Sequence, residues 1–185
     1  MRRGIRIALT RPDFFVGEAQ RIASLLRGGM FDLVHLRKPE ATEDDLCRLI
    51  GDIPEDCRGR LVLHDGHQLC ARYGLHGIHL NRRHPVPPAG HTGSISRSCH
   101  SLDEVIRWKP ACNYVLLSPV FDSISKADYH SGFTEDELMA ASRQGIIDCK
   151  VIALGGVTEE RMAQVLRWGF GGGAMLGAVW NEKQP

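Results

Sequence analysis

An ammonium and two hydroxyls fall within four residues in the stretch SPVFDSISK, residues 118–126, where Ser123, Ser125 and Lys126 follow an apolar run, NYVLL. A run that ends at Pro119 and then offers Asp122, Ser123, Ser125 and Lys126 has stopped serving a core. Hydroxyls beside an ammonium suit an anionic ligand, because charge-assisted hydrogen bonds to phosphate oxygens are the strong ones. Other polar residues gather in the same way at the ends of other apolar runs. His35, Arg37 and Lys38 close FDLVHL; His64 and Asp65 close RLVLH; His79, Asn81, Arg82 and Arg83 close GIHL; Ser98 and His100 follow GSIS. KVIAL and GAMLG end instead in glycine, at Gly155–Gly156 and Gly177. Glycine turns let backbone N–H groups approach phosphate oxygens, and a following helix N-terminus adds a favourable dipole.

Eight apolar runs must position these groups: 5–9, 31–36, 60–64, 77–80, 93–96, 114–118, 150–154 and 173–177. Segments with apolar spacing of three and four lie between most of them, such as EAQRIASLLR and ERMAQVLRW, and these predict helices. Ser101 with Glu104 and Thr134 with Glu137 read as capping boxes, Thr158 precedes two glutamates, and Gly28–Gly29 and Gly169 stand where helices end. Strands apolar throughout and alternating with helices predict a parallel sheet covered by those helices. Eight units predict a small (β/α)8 barrel spanning residues 1–185 as one domain, short against the ~250 residues usual for that fold. The Pro- and Gly-rich HPVPPAGHTG and the brief tail AVWNEKQP predict shortened fourth and eighth helices. An open doubly wound sheet is the alternative, since periodicity alone does not separate the two.

The 23 basic and 22 acidic side chains nearly cancel, to +1 with histidines neutral, which argues against a nucleic-acid or membrane-surface binder. Six cysteines show no metal-ligand spacing and predict free thiols in a reducing compartment. MRRGIRIALT is too briefly apolar for a signal peptide or a membrane span, so a cytoplasmic protein is expected. Plain readings compete at several of the polar positions. Gly155–Gly156 serves equally as a tight strand-to-helix turn, Asp65 as the cap of a helix near His67, and His79 as a core histidine. Arg82 and Arg83 suit a solvated loop. Cys99–His100 is a weak nucleophile pair, because adjacent residues rarely present both groups to one point.

The series HLRKP, LVLHDG, GIHLNRR, GSISRSCHS, YVLLSPVFDSISK, VIALGGV and GFGGGAMLGAV resembles the thiamine phosphate synthase/TenI family in order and over most of the chain. The most specific part is PVFDSISK, similar to the family's PVFxTxTK. The resemblance implies a small (β/α)8 barrel and one of two activities. A synthase joins hydroxymethylpyrimidine diphosphate to thiazole phosphate and releases diphosphate, through a pyrimidine cation and with Mg²⁺ on the leaving group. TenI-type relatives bind thiazole phosphates, and some tautomerise the carboxylated thiazole with a histidine. By motif, the resemblance implies that Arg37 contacts diphosphate, Asp65 is a Mg²⁺ ligand, and Ser98 lies near the aminopyrimidine and diphosphate. Ser123 and Ser125 stand for two threonines, and Lys126 for the lysine that neutralises the departing diphosphate. Gly155, Gly156, Leu176 and Gly177 would give backbone N–H groups to the thiazole phosphate.

The departures carry weight too. The family's QLRxK is HLRKP here, so Pro39 replaces a lysine and Lys38 stands one residue early as the substrate-binding cation. His64 replaces the asparagine of an Asn-Asp pair and is expected to face substrate. NRRHP puts His84 near the second acidic Mg²⁺ ligand, which leaves Asp65 as the lone carboxylate unless diphosphate completes the shell; Arg82 and Arg83 could replace metal charge. Pro119 stands where the tautomerase histidine belongs. A thiamine phosphate synthase acting on these two small molecules is therefore expected, with self-association left open. A TenI-like binding, accessory or regulatory protein without synthase turnover is the alternative.

Overall fold

Alternation of short buried strands with helices governs the molecule, whose computed structural model describes residues 3–121 and 132–180. Among the described residues the strands are β1 Ile5–Leu9, β2 Leu33–Leu36, β3 Leu61–Leu63, β4 Gly77–Leu80, β5 Ser94–Cys99, β6 Tyr114–Leu117, β7 Val151–Leu154 and β8 Gly172–Met175. They follow one another in sequence order and the sheet closes, giving a parallel (β/α)8 barrel. β2, β3, β4, β6 and β8 are buried at every position. That is the pattern of strands covered on both faces. Each fully buried Leu, Ile or Val contributes about 1.5–3 kcal/mol, so even four-residue strands are well held. The chain divides into two compact units, residues 7–95 and residues 1–6 with 96–185.

In the first unit, α1 Glu18–Arg27 buries Ile22, Leu25 and Leu26, and α2 Glu43–Asp52 buries Leu46, Leu49 and Ile50. A full capping box starts α2: Thr42 Oγ1 accepts from Asp45 N–H and Asp45 accepts from Thr42 N–H. α3 Glu55–Arg58 and α4 Leu69–Arg72 are single turns. The fourth connection differs from expectation. Residues 81–93 contain no helix at all, because Pro85, Pro87, Pro88 and Gly90 remove donors and favour turns. Asn81 organises that loop instead: its Oδ1 accepts from the N–H groups of Arg83 (2.8 Å) and His84 (3.1 Å).

In the second unit, α5 Leu102–Trp108 is capped by Ser101, which accepts from Glu104 N–H. The reciprocal half of the expected box is replaced, since the Glu104 carboxylate takes the N–H of His100 at 2.6 Å. Thr134 and Glu137 form the complete box of α6 Glu135–Arg143. Thr158 makes no side-chain cap at the short turn before α7 Met162–Arg167, and α8 Gly177–Trp180 is one turn within the described residues. β5 runs to Cys99, three residues beyond the expected end, so Ser98 lies on the strand rather than after it.

The β8 glycines are there for approach. Ile5 N–H donates to Gly171 O at 3.0 Å, and a Cβ on Gly172 would fall on the carbonyl oxygen of Ile5. We expect Gly172→Ala to destabilise by about 1–3 kcal/mol, as overpacking does, measured by urea unfolding. An unchanged midpoint would show that the strands part freely there.

Candidate functional site

Residues 7–95 carry the acid and most of the cations singled out above. Arg37 follows β2 directly, and its backbone is fixed by the buried Thr10, whose Oγ1 accepts the Arg37 N–H at 2.9 Å. The half-buried Arg37 guanidinium has no hydrogen bond or salt bridge to another described side chain. A cation without a counter-ion among the described residues suits an anionic ligand. Thr10 carries no sequence signal, since its role depends on β1 lying beside β2.

Lys38 does not stand where a substrate-binding cation must. Its side chain is 0% exposed, and Nζ donates to both oxygens of Glu18 (2.7 and 2.8 Å) and to the carbonyl of Asp13 (2.6 Å). The Phe14 ring lies 4.5 Å from Nζ. Burial pulls the Lys38 ammonium below its ordinary pKa and pushes the Glu18 carboxyl above its own, while the ion pair opposes both shifts. Lys38 thus ties the loop after β1 to the end of β2 and is withdrawn from ligand binding.

Asp65 and the loop after β4 form one cluster. Asp65 Oδ1 accepts from Arg83 at 2.6 Å and lies 3.2 Å from His84 Nε2, while Oδ2 is buried without a hydrogen-bond partner. Asn81 sets this up, holding the Arg83 and His84 amides on its Oδ1 and donating from Nδ2 to His64 O at 3.2 Å. Asp65 does not cap α4, which has no side-chain cap. Arg83 is accordingly not the free loop cation that its neighbours suggested; Arg82 is exposed. The cluster bears on Mg²⁺, a hard ion that takes oxygen ligands and is commonly held by one or two carboxylates plus substrate phosphate. One buried, unpartnered carboxylate oxygen fits such an ion, and the nitrogen groups of His84 and Arg83 do not. Asp65 therefore fits as a single protein ligand for Mg²⁺ arriving with a diphosphate.

His64 is buried, and its Nε2 lies 2.9 Å from His35 Nδ1. Burial first, then the neighbouring charge of His79, holds both His35 and His64 well below the ordinary imidazole pKa. Arg37 adds a smaller repulsion on His64. Both rings are neutral at neutral pH. His64 thus packs among other histidines, with little of its surface left for a substrate.

In the second unit, Ser98 is half-buried on β5. The Cys99 thiol is fully buried and pushed up to about 12 by that burial, so it is no nucleophile. Its exposed neighbour His100 places Nδ1 3.1 Å from the carbonyl oxygen of Ser118. Gly155 (φ 91°) and Gly156 (φ 64°) make the turn after β7. A Cβ on Gly155 would press on Pro119 Cα, and the N–H of Phe121 donates to Gly155 O at 3.1 Å. The turn is therefore also a packing surface for the chain leaving β6. Phe121 is further held by Trp168, ring centroids 5.0 Å apart, and by the Arg161 guanidinium 4.7 Å from its ring centre. Leu176 is 38% exposed after β8, and Gly177 opens α8. Ser123, Ser125 and Lys126 lie outside the described residues.

A closed parallel barrel with an arginine that has no carboxylate partner among the described residues, an aspartate and glycine turns after its strands has the make-up of a barrel enzyme for phosphorylated small molecules. The chain belongs to the thiamine monophosphate synthase family, whose model matches residues 11–179. It is 28% identical to the thiamine-phosphate synthase of Halorhodospira halophila, over 96% of this chain and 87% of that one. Among solved structures it is similar to a thiamine phosphate pyrophosphorylase from Bacteroides thetaiotaomicron, at 39% identity and a TM-score of 0.88, covering 97% of this chain and 86% of that one. A thiamine phosphate pyrophosphorylase from Pyrococcus furiosus shares the fold, with a TM-score of 0.77 at 17% identity over 96% of this chain and 88% of that one.

Removing one member of a buried ion pair costs about 3–5 kcal/mol, whereas replacing both by apolar groups is often neutral. Lys38→Met should therefore destabilise by about that amount, and adding Glu18→Leu should restore most of the loss, both read by urea unfolding. A single variant as stable as the wild type would return Lys38 to the list of ligand-binding groups.

Proposed function

We propose that this chain is a thiamine phosphate synthase-type transferase of thiamine biosynthesis, joining hydroxymethylpyrimidine diphosphate to thiazole phosphate with release of diphosphate. The observation that carries the reading is family membership over nearly the whole chain together with a retained PVFDSISK segment. In the reaction the C–O bond to diphosphate breaks, its electron pair leaving with the diphosphate. The ring-stabilised pyrimidine methylene cation is then captured by the thiazole nitrogen lone pair, forming the C–N bond. Catalysis of that kind is charge stabilisation on the leaving group. Lys126 and Arg37 are assigned to the diphosphate, Ser123 and Ser125 to its oxygens, and Ser98 to the pyrimidine side. Gly155, Gly156, Leu176 and Gly177 are assigned to the thiazole phosphate through backbone N–H groups. Bound Mg²⁺ supplies further positive charge to the leaving oxygens, with Asp65 Oδ2 as the protein ligand.

We place the reaction in the cytoplasm, within a single domain of residues 1–185. Among the described residues no helix is long and apolar enough to cross a membrane. A second reading, a protein that binds thiazole or thiamine phosphates without turnover, draws support from two observations: Pro39 replaces a family lysine, and Lys38 is bound up with Glu18. Pro119 argues against the tautomerase within that class, because proline exchanges no proton.

Purified protein with Mg²⁺ and both substrates should release thiamine phosphate and diphosphate in equal amounts. Thiazole phosphate binding without product would leave the binder and sink the transferase. Lys126→Ala should lower kcat by about 10²–10³-fold, the range for removing one stabilising donor, with thiazole phosphate affinity little changed. Equal losses in both would assign Lys126 to general binding. Asp65→Ala should remove the Mg²⁺ dependence of any turnover, and an unchanged dependence would take Asp65 out of the site.

A further inference from the structure

Three histidines converge on one face of the β2–β3–β4 sheet, and nothing in the transfer reaction calls for three. His35 lies on β2, His64 directly after β3 and His79 on β4. Strand register brings them together. His35 pairs with Val62, two residues before His64, while Leu63 pairs with Ile78 and so sets His64 beside His79. The His64 and His79 rings stack at 4.1 Å between centroids, and the His35 ring lies 5.1 Å from the first and 5.3 Å from the second. One ring nitrogen from each residue falls within 4.8 Å of the other two, and all three residues are buried.

We propose that His35, His64 and His79 form a three-histidine site for a divalent transition metal of the zinc class, distinct from the Mg²⁺ position at Asp65. Zinc–imidazole bonds of ~2.0–2.1 Å in a tetrahedron set ligand nitrogens about 3.3 Å apart. One nitrogen from each ring already lies within 4.8 Å of the other two; His35 Nδ1 and His64 Nε2, at 2.9 Å, need only part slightly, while the nearly parallel His64 and His79 rings must turn to aim their in-plane lone pairs at one point. Loss of that hydrogen bond is offset by the metal–imidazole bonds that replace it. Metal binding requires the neutral imidazole, and the burial of all three rings favours that form. An all-imidazole set suits Zn²⁺, Ni²⁺, Cu²⁺ or Fe²⁺ and does not suit Mg²⁺. Three protein ligands leave a fourth position that a water completes.

The test uses the full chain, stripped with chelator and titrated with Co²⁺ as a visible-absorbing substitute for Zn²⁺. One equivalent should bind, with the intense visible bands of a four-coordinate cobalt ion and displacement by Zn²⁺. X-ray absorption of the zinc form should show nitrogen and oxygen neighbours near ~2.0–2.1 Å and no sulfur near ~2.3 Å. His35→Gln and His64→Asn keep a polar side chain of similar reach, and each should weaken binding by at least about 100-fold, since loss even of an outer partner of a ligand costs about 10–100-fold. Cys149→Ser, at the exposed thiol, should bind as the wild type does. Zn²⁺ should raise the melting temperature of the wild type and leave that of either histidine variant in place, which also shows that the variants fold. No uptake by the wild type, sulfur in the metal shell, or equal binding by folded histidine variants would each overturn the proposal.

Discussion

Two-sided burial of very short parallel strands is the constraint on which the rest of this molecule depends. A strand of four residues with every position buried, as in β2, β4 and β6, has little room for polar groups, and His35 and His79 are buried where they occur. Polar chemistry is pushed to the residues just past the strand, where the chain turns into a loop and side chains regain access to ligand and water. Arg37, Asp65, Asn81 and the Gly155–Gly156 turn all stand there. What remains buried and polar must then be paired: Lys38 finds Glu18, and His35 finds His64.

Economy of chain length shapes the loops. With no helix in residues 81–93, the connection after β4 needs another source of order, and one asparagine supplies it. Asn81 accepts two loop amides and donates back to His64 O, so the Arg83 guanidinium and His84 imidazole arrive at Asp65 in fixed positions. The Phe121 ring, between Trp168 and Arg161, does comparable service at the exit from β6. Rigid entry and exit points of this sort let short loops act as site walls.

Much of this was legible in the sequence because it is local. Apolar run length gave the strand positions, and helix caps such as Thr134–Glu137 are three-residue signals. What could not be read is non-local. Nothing near Lys38 marks Glu18, 20 residues away, as its partner, so a charge beside a strand end looked available. The end of β5 was misplaced because Arg97 and Ser98 break the apolar run, yet both remain in register with β6 at Val115 and Leu116. His35, His64 and His79 each looked like a single core or strand-end histidine, since only register between neighbouring strands makes them a group. Asp65 is legible in the sequence as an acid just past a strand, but its pairing with Arg83 needs the geometry of the Asn81 turn.

The charges of the first unit follow from those pairings. Lys38 is neutralised by Glu18, Arg83 is shared with Asp65, and Pro39 contributes none. Among the described residues near the ends of β2, β3 and β4, the cations not committed to a carboxylate are then the partly buried Arg37 and the exposed Arg82. A diphosphate carries about three negative charges near neutral pH, and one partly buried guanidinium cannot balance them in a low-dielectric site. In the proposed transfer the remainder is assigned to Lys126, to Mg²⁺ held by Asp65, or to both. The lysine retained in PVFDSISK is therefore one of two sources of charge on which the proposed turnover draws. The altered HLRKP and NRRHP segments increase the charge that those two sources must supply.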